Sequence, residues 1–323
     1  MPTQRTNFNI LMLGKRGTGK TSMLAVLWNE LKKFTSKDIV YFRQDFETAN
    51  IFGEALSQLK EMFNSPGLTI GEGIEGTDEP KDLSIELCTP THNEPHLQLN
   101  FWDYSGGLLS AKNATEELNQ KISDAHFFFI IVDAPALMEL NGKFNNIRNT
   151  PDYYRNLLNN RLNEPLNIVF IVTKSEKYVR KNMKKNLFQK VKASYYELIE
   201  ELRPGSICSI CIVQTLGQIV LNELLVNKDS SGREYPIYTF SKVSENSKFN
   251  PKDVTLPFQI LLQNAITSSI NERRESNAGF NWLRDLIGRD DELAQVLNHI
   301  SEVTKVNNDS SSLVEFSDLK EII

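Results

Sequence analysis

Between the apolar run Phe8-Asn9-Ile10-Leu11-Met12-Leu13 and the residues Met23, Leu24, Leu27 and Leu31 stands Gly14-Lys15-Arg16-Gly17-Thr18-Gly19-Lys20-Thr21-Ser22. The apolar run predicts a strand, and the spacing of the residues after it predicts a helix. Gly-x-x-x-x-Gly-Lys-Thr in that setting is the phosphate-binding loop pattern in the context it requires. Glycines let the backbone wrap a polyphosphate with its N–H groups turned inward, and the helix N-terminus adds positive potential. Lys20 then reaches the outer phosphates, and the Thr21 hydroxyl supplies a ligand for magnesium. Gly14, Arg16, Gly17, Thr18, Gly19, Lys20, Thr21 and Ser22 are therefore the candidate phosphate-binding residues.

Further apolar strands are expected at Leu97–Trp102, His126–Val132, Asn167–Thr173 and Ser209–Thr215, with polar, helix-patterned stretches between them. Such alternation implies a parallel sheet covered by helices on both faces. A helix is expected over residues 46–64, followed by a Gly- and carboxylate-rich loop at 71–82 and a strand near Leu83–Cys88. Another long helix is expected from Lys181 to Arg203, a polar excursion at 227–253 holding a strand at Pro236–Ser241, and a helix from Leu256 to Arg274. Residues 279–303 repeat apolar positions at helical spacing, which predicts an appendage that either packs on the core or presents a helical face to another chain.

Composition narrows the function classes. With 323 residues, a formal net charge of -5 and 24% charged residues, the chain has no overall basic footprint for nucleic acid. No apolar stretch approaches the roughly 18–20 residues that span a bilayer, so no membrane insertion is expected. The N-terminal residues lack the apolar core of a secretory signal, which leads to the expectation of a cytoplasmic protein. Cys208 and Cys211 form a Cys-x-x-Cys without a second pair or a nearby His, and read as core thiols in a buried strand. The lysine-rich stretch between Lys177 and Lys192 reads as a solvated helix face, with an acidic partner as the alternative.

Three further signals follow the first loop. Leu97–Trp102 leads into Asp103-Tyr104-Ser105-Gly106-Gly107. An Asp at such a strand end can hold magnesium through a water, and the Gly106 N–H can contact a γ-phosphate. Thr173-Lys174-Ser175-Glu176 offers a lysine stem to lie over a purine and a carboxylate to accept from the guanine N1 and N2 edge, donors that adenine lacks. Thr215-Leu216-Gly217 can present a backbone N–H to the guanine O6. In the 71–82 loop, Thr77 is the candidate to close over magnesium and the γ-phosphate, with Thr69 as the competitor.

The order of these motifs over residues 14–217 resembles a P-loop GTPase of the translation-factor and Ras-related (TRAFAC) class. More loosely, Gly106-Gly107 and the polar excursion resemble bacterial GTPases of conflict and defence systems. The resemblance implies an α/β fold with a doubly wound, mostly parallel six-stranded sheet, binding of Mg²⁺ with GTP or GDP, and switch loops ordered by the γ-phosphate. On this basis residues 1–275 form the GTPase domain, with a helical insertion and switch loop at about 44–82, and residues 276–323 a C-terminal helical appendage. Lys20, Arg16 and Thr77 are the candidate catalytic residues, and Thr21, Asp103 and Thr77 the candidate metal ligands. Base and phosphate contacts fall to Gly106, Thr173, Lys174, Glu176, Thr215 and Leu216 in addition to the first loop.

Two departures from the resemblance bear on mechanism. Gly107 stands where Ras-like enzymes place the glutamine that orients water, so slow intrinsic hydrolysis is expected. Arg16 either lies along the phosphates as a cis arginine or points to solvent. The leading expectation is a GTP-controlled switch read by a protein effector or activator, or by a second copy of the chain. An ATPase or nucleotide kinase, and a nucleotide-binding scaffold without turnover, remain the alternatives.

Overall fold

The computed structural model describes residues 6–72, 81–91, 95–104, 116–275, 292–303 and 310–315. Its centre is β6 (Phe127–Asp133), all seven residues of which are buried. A strand of Phe-Phe-Phe-Ile-Ile-Val can be sheltered on both faces only where helices cover a parallel sheet from either side. On one flank β6 pairs in parallel with β7 (Asn167–Thr173), which pairs with β8 (Ile207–Ile212). On the other it pairs with β1 (Thr6–Leu13), which pairs with β5 (Leu97–Asp103).

Beyond β5 the direction reverses: β4 (Lys81–Cys88) runs antiparallel to β5, and the short β2 (Tyr41–Gln44) antiparallel to β4. At the opposite edge β11 (Leu313–Glu315) lies antiparallel to β8. Among the described residues the sheet therefore has eight strands, in the order β11-β8-β7-β6-β1-β5-β4-β2. The expected six-stranded sheet is corrected to this count. The six apolar strands form its kernel, and the two extra strands are short edge pieces, joined by backbone bonding that no hydrophobic pattern signals.

Chain order reverses on either side of β1, which has β5 and β6 as neighbours. Such a switch point opens a crevice outside the carboxyl ends of the strands. The loops after β1, β5, β6, β7 and β8 all emerge at that edge.

Several other expectations need revision. Helix α1 (Lys20–Leu31) follows the first loop, and α2 (Phe46–Glu61) occupies most of 46–64, capped by Asp45, whose carboxylate accepts from the Thr48 N–H at 2.7 Å. The 71–82 segment is not a loop at its ends: 71 and 72 belong to β3 (Thr69–Glu72), and 81 and 82 begin β4. Residues 73–80 lie outside the described residues. The excursion is a β-hairpin, β9 (Ile219–Lys228) and β10 (Glu234–Lys242), to which β3 adds a third antiparallel strand.

Three helices follow β6 before the chain enters β7: α4 (Ala134–Met138), α5 (Asn145–Arg148) and α6 (Pro151–Leu158). A further one, α3 (Glu116–Asp124), precedes β6. A short α7 (Glu176–Arg180) follows β7, and the single helix expected over 181–203 is divided into α8 (Lys184–Ser194) and α9 (Tyr196–Glu200). The break falls at Tyr195, whose ring packs 4.7 Å from that of Phe170 while its hydroxyl donates to the Asn149 carbonyl at 2.9 Å. A buried tertiary hydrogen bond outweighs continued helical propensity there.

Helix α10 (Leu256–Glu275) matches the expected start at Leu256. In the C-terminal part, a helix over 292–303 buries Leu293, Val296 and Ile300 in the common core. It is tied down by Glu292, which accepts from the Thr91 hydroxyl at 2.7 Å, and by a 2.9 Å contact between His299 Nε2 and the Phe34 carbonyl. No helix among the described residues is long and apolar enough to cross a membrane.

Candidate functional site

The loop 14–19 leaves β1 and turns into α1 through Gly19, whose φ of 96° lies in the left-handed region open to glycine at little cost. Inside the turn the Lys20 ammonium folds back and donates to the Gly14 carbonyl at 2.8 Å. Burial lowers the Lys20 pKa, and the Asp103 carboxylate opposes that shift without cancelling it. Thr18 is fully buried and structural: its hydroxyl donates to the Lys15 carbonyl at 2.9 Å. Arg16, Gly17, Thr21 and Ser22 face an open cavity of about 340 Å³.

Asp103, at the end of β5, meets this loop from the neighbouring strand. Its Oδ2 accepts from the Thr21 hydroxyl at 2.5 Å, and its Oδ1 lies 3.7 Å from Lys20 Nζ. That Oδ1 is buried and has no hydrogen-bond partner. A hydroxyl and a carboxylate side by side, with a carboxylate oxygen left over, fit a small hard cation that takes its other ligands from water and phosphate. Among the described residues no cluster of three His, Cys, Asp or Glu is assembled to hold a metal by protein ligands alone.

The opposite side of the cavity comes from the loops after β7 and β8. The Thr173 hydroxyl donates to the Thr18 carbonyl at 2.6 Å, fastening the β7 end to the first loop. Lys174 has φ 54° and so carries a strained left-handed backbone. Its ammonium donates to the Gly17 carbonyl at 2.6 Å and to Asp133 Oδ2 at 2.8 Å. Burial lowers the Lys174 pKa despite Asp133 beside it.

Glu176 is buried, and its Oε1 accepts from the Leu216 N–H at 2.9 Å. Burial raises its pKa, partly offset by the backbone N–H groups of residues 215–217. The 215–217 turn depends on Gly217: φ is 72° there, and an added Cβ would stand 1.9 Å from the Asn250 carbonyl oxygen. Thr215 and Leu216 both face the cavity.

Of the residues singled out from sequence, the structure brings Arg16, Gly17, Gly19, Lys20, Thr21, Ser22, Thr173, Lys174, Glu176, Thr215 and Leu216 around one cavity. Gly14 and Thr18 shape the loop behind it. Thr77, Gly106 and Gly107 lie outside the described residues. Thr69 is exposed in β3, paired with Ser241 of β10.

Sequence reasoning missed two parts of the site. One is the wall made by α2 and β10, with Leu59 and Met62 on one side and Ile237, Tyr238 and Phe240 on the other. The second is a charge cluster at the end of β6. Asp133 is fully buried and its Oδ2 is shared between Lys174 at 2.8 Å and Arg148 at 3.4 Å. Burial works to raise the Asp133 pKa, but the two cations hold it below the ordinary carboxylate value. The one available signal was the abrupt end of an apolar run at Asp133.

No family model matches the chain, and no curated protein matches it by sequence. Among solved structures it is similar to the S. cerevisiae Ski7 GTPase-like domain bound to GTP, at 13% identity and TM-score 0.39, covering 66% of this chain and 43% of that one. The same domain bound to GDP and inorganic phosphate matches at 12% identity and TM-score 0.40, over 66% and 44% of the respective chains. The chain thus spans less than half the length of those structures.

Proposed function

We propose that this chain binds guanine nucleotide with magnesium, hydrolyses GTP slowly, and acts as a nucleotide-controlled switch read by a protein partner. The observation that carries the reading is the convergence of Lys20 and Thr21, the latter bonded to Asp103 behind it, with Lys174, Glu176 and Leu216 around one cavity. A phosphate-binding loop alone does not choose a base, but a lysine stem and a buried carboxylate at the far side give the site a purine end.

In this reading the loop N–H groups and Lys20 hold the phosphates, and the Lys174 stem lies over the base. Glu176 Oε1 holds the Leu216 N–H at 2.9 Å, and the other carboxylate oxygen accepts from the guanine edge. Thr21 and Asp103 would hold magnesium, which when bound would neutralise charge on the outer phosphates. Thr77 and Gly106 answer to the γ-phosphate, and Arg16 lies beside it. Residues 1–275 are taken as the GTPase unit and 276–323 as a C-terminal extension whose helix over 292–303 and strand β11 pack onto it, and a place in a bacterial conflict or signalling system follows from the resemblance.

Single-turnover phosphate release from GTP tests the activity. Slow release that stops when magnesium is chelated, and that is absent in Lys20→Ala, is expected. Release that is unchanged by chelation or by the substitution contradicts the reading.

A further inference from the structure

Arg148 ends α5, in the connection between β6 and β7, and is remote in sequence from every motif of the site. Its guanidinium nevertheless lies against the phosphate-binding loop: a Cβ built on Gly17 would stand 3.2 Å from Arg148 Nη2. The side chain is 21% exposed and faces the cavity. Its position is fixed by the residue that follows. Asn149 is fully buried, its side-chain oxygen accepts from the Asp133 N–H at 2.7 Å, and its amide donates to the Asp133 carbonyl at 3.2 Å. On the far side the Tyr238 ring of β10 supports the guanidinium at 5.7 Å.

The partners that Arg148 has, Asp133 and the Tyr238 side chain, do not saturate it. Its contact with Asp133 is single and long, 3.4 Å, and the same carboxylate oxygen is taken at 2.8 Å by Lys174. Arg148 Nε is buried without a hydrogen-bond partner. Five cations, Lys15, Arg16, Lys20, Lys174 and Arg148, are gathered around the loop against three carboxylates, Asp103, Asp133 and Glu176, and burial, followed by the proximity of Arg148, lowers the pKa of Lys15, Lys20 and Lys174. Desolvated positive charge in excess, with donors left over, calls for an anion, and a rigid planar fork suits phosphate oxygens.

We propose that Arg148 is an intrachain phosphate ligand, whose guanidinium contacts the polyphosphate of the bound nucleotide from the side of Gly17. This rests on the nucleotide-binding reading above and adds to it a contact that no motif contains. Asp133 and Asn149 are positioning residues for it. On loading, the guanidinium exchanges part of its weak contact with Asp133 for phosphate oxygens, and Lys174 keeps that carboxylate paired.

The test compares GDP, a non-hydrolysable GTP analogue and guanosine as calorimetric ligands of the full chain carrying Arg148→Ala or Arg148→Lys. A charge-assisted hydrogen bond of the usual strength predicts roughly 10- to 100-fold weaker binding of the phosphorylated ligands by Arg148→Ala. Guanosine affinity should stay unchanged, and Arg148→Lys should restore part of the loss. Equal affinities for all three ligands in wild type and Arg148→Ala overturn the proposal, as does an equal loss for guanosine, which marks a structural role. Should Arg148→Ala fail to fold, Arg148→Lys decides: it keeps the charge beside Asp133 but not the fork. A several-fold fall in the ratio of GDP to guanosine affinity supports the proposal, and an unchanged ratio overturns it. Absence of any nucleotide binding by the wild type defeats the nucleotide reading itself and this proposal with it.

Discussion

At the end of the cavity proposed to hold phosphate the groups come from one continuous loop, residues 14–22, joined by Asp103 from the adjacent strand. At the end proposed to hold the base they come from separate segments: Lys174 and Glu176 after β7, Leu216 after β8, Tyr238 and Phe240 on β10, Leu59 on α2 and Met62 just after it. The first end is local and carries cations with carboxylate oxygen to spare. The second is a tertiary assembly whose one carboxylate, Glu176, is already bonded to the Leu216 N–H at 2.9 Å. In the proposed reading phosphate binding is specified by a short stretch of chain, whereas base choice depends on how two loops, a helix and a hairpin pack.

The largest effect should appear where the two ends join, at Asp133. Asp133→Asn keeps the side-chain shape and its acceptor for the Ala136 N–H, but leaves Lys174 and Arg148 without their shared anion. Removing one member of a buried charge cluster costs about 3–5 kcal/mol. Because the Asp133 pKa is lowered in the folded chain, its contribution is fully present above the ordinary carboxylate value and lost as pH falls through the lowered one. The gap between the denaturation curves of wild type and variant should be wide at neutral pH and close in strong acid. A gap that does not change with pH would show that the cations do not depend on this carboxylate.

Next in size, and confined to the phosphate end, is Lys20→Ala. Loss of a buried ammonium facing the phosphates should weaken binding of nucleotide di- and triphosphates by about 100-fold or more, on the scale of charged hydrogen bonds. Thermal unfolding should move less than binding, since the lost hydrogen bond to the Gly14 carbonyl and the pairing with Asp103 at 3.7 Å are offset by relief of the buried ammonium's desolvation. Comparable losses for the nucleoside alone would blur the distinction between the two ends.

At the base end, Gly217→Ala should destabilise the chain by about 1–2 kcal/mol from the left-handed backbone alone, and by more if the Asn250 carbonyl cannot retreat. The 215–217 turn carries the Leu216 N–H, so guanine affinity should fall together with stability. Unchanged denaturant midpoints would mean the turn has another conformation within reach.

The smallest and most selective change is Glu176→Gln, which can still accept from the Leu216 N–H but cannot offer a carboxylate to the base. GDP affinity should drop about tenfold with ADP affinity unaltered, on the scale of one hydrogen bond to a charged group. In the wild type, GDP affinity should also fall as pH drops through the raised Glu176 pKa, where the carboxylate becomes protonated, and the variant should show no such slope. A variant that binds GDP like wild type would reduce Glu176 to a clamp on the turn.

The same contrast explains what the sequence made legible. β6, β7 and β8 announce themselves as apolar runs because parallel strands are buried on both faces, β1 does so from Ile10 onward, and β5 reads by alternation, with Gln98, Asn100 and Trp102 half-buried. The 14–22 loop is legible because its chemistry is contiguous. β9 stayed hidden because Asn222, Glu223 and most residues to Lys228 are exposed, leaving little alternation to read. β2 and β11 are short edge strands that hold by backbone pairing. The division of the 181–203 helix comes from one buried tyrosine hydroxyl, Tyr195, reaching Asn149. Arg148 was invisible for the same reason: only the folded chain brings it beside Gly17.

The most direct test of the account is calorimetric titration of the wild-type chain with GDP, a non-hydrolysable GTP analogue, ADP and the matching ATP analogue in the presence of magnesium. The account predicts that both guanine nucleotides bind and that each is preferred over its adenine counterpart. Equal or tighter binding of the adenine nucleotides, or no binding of any, would contradict it.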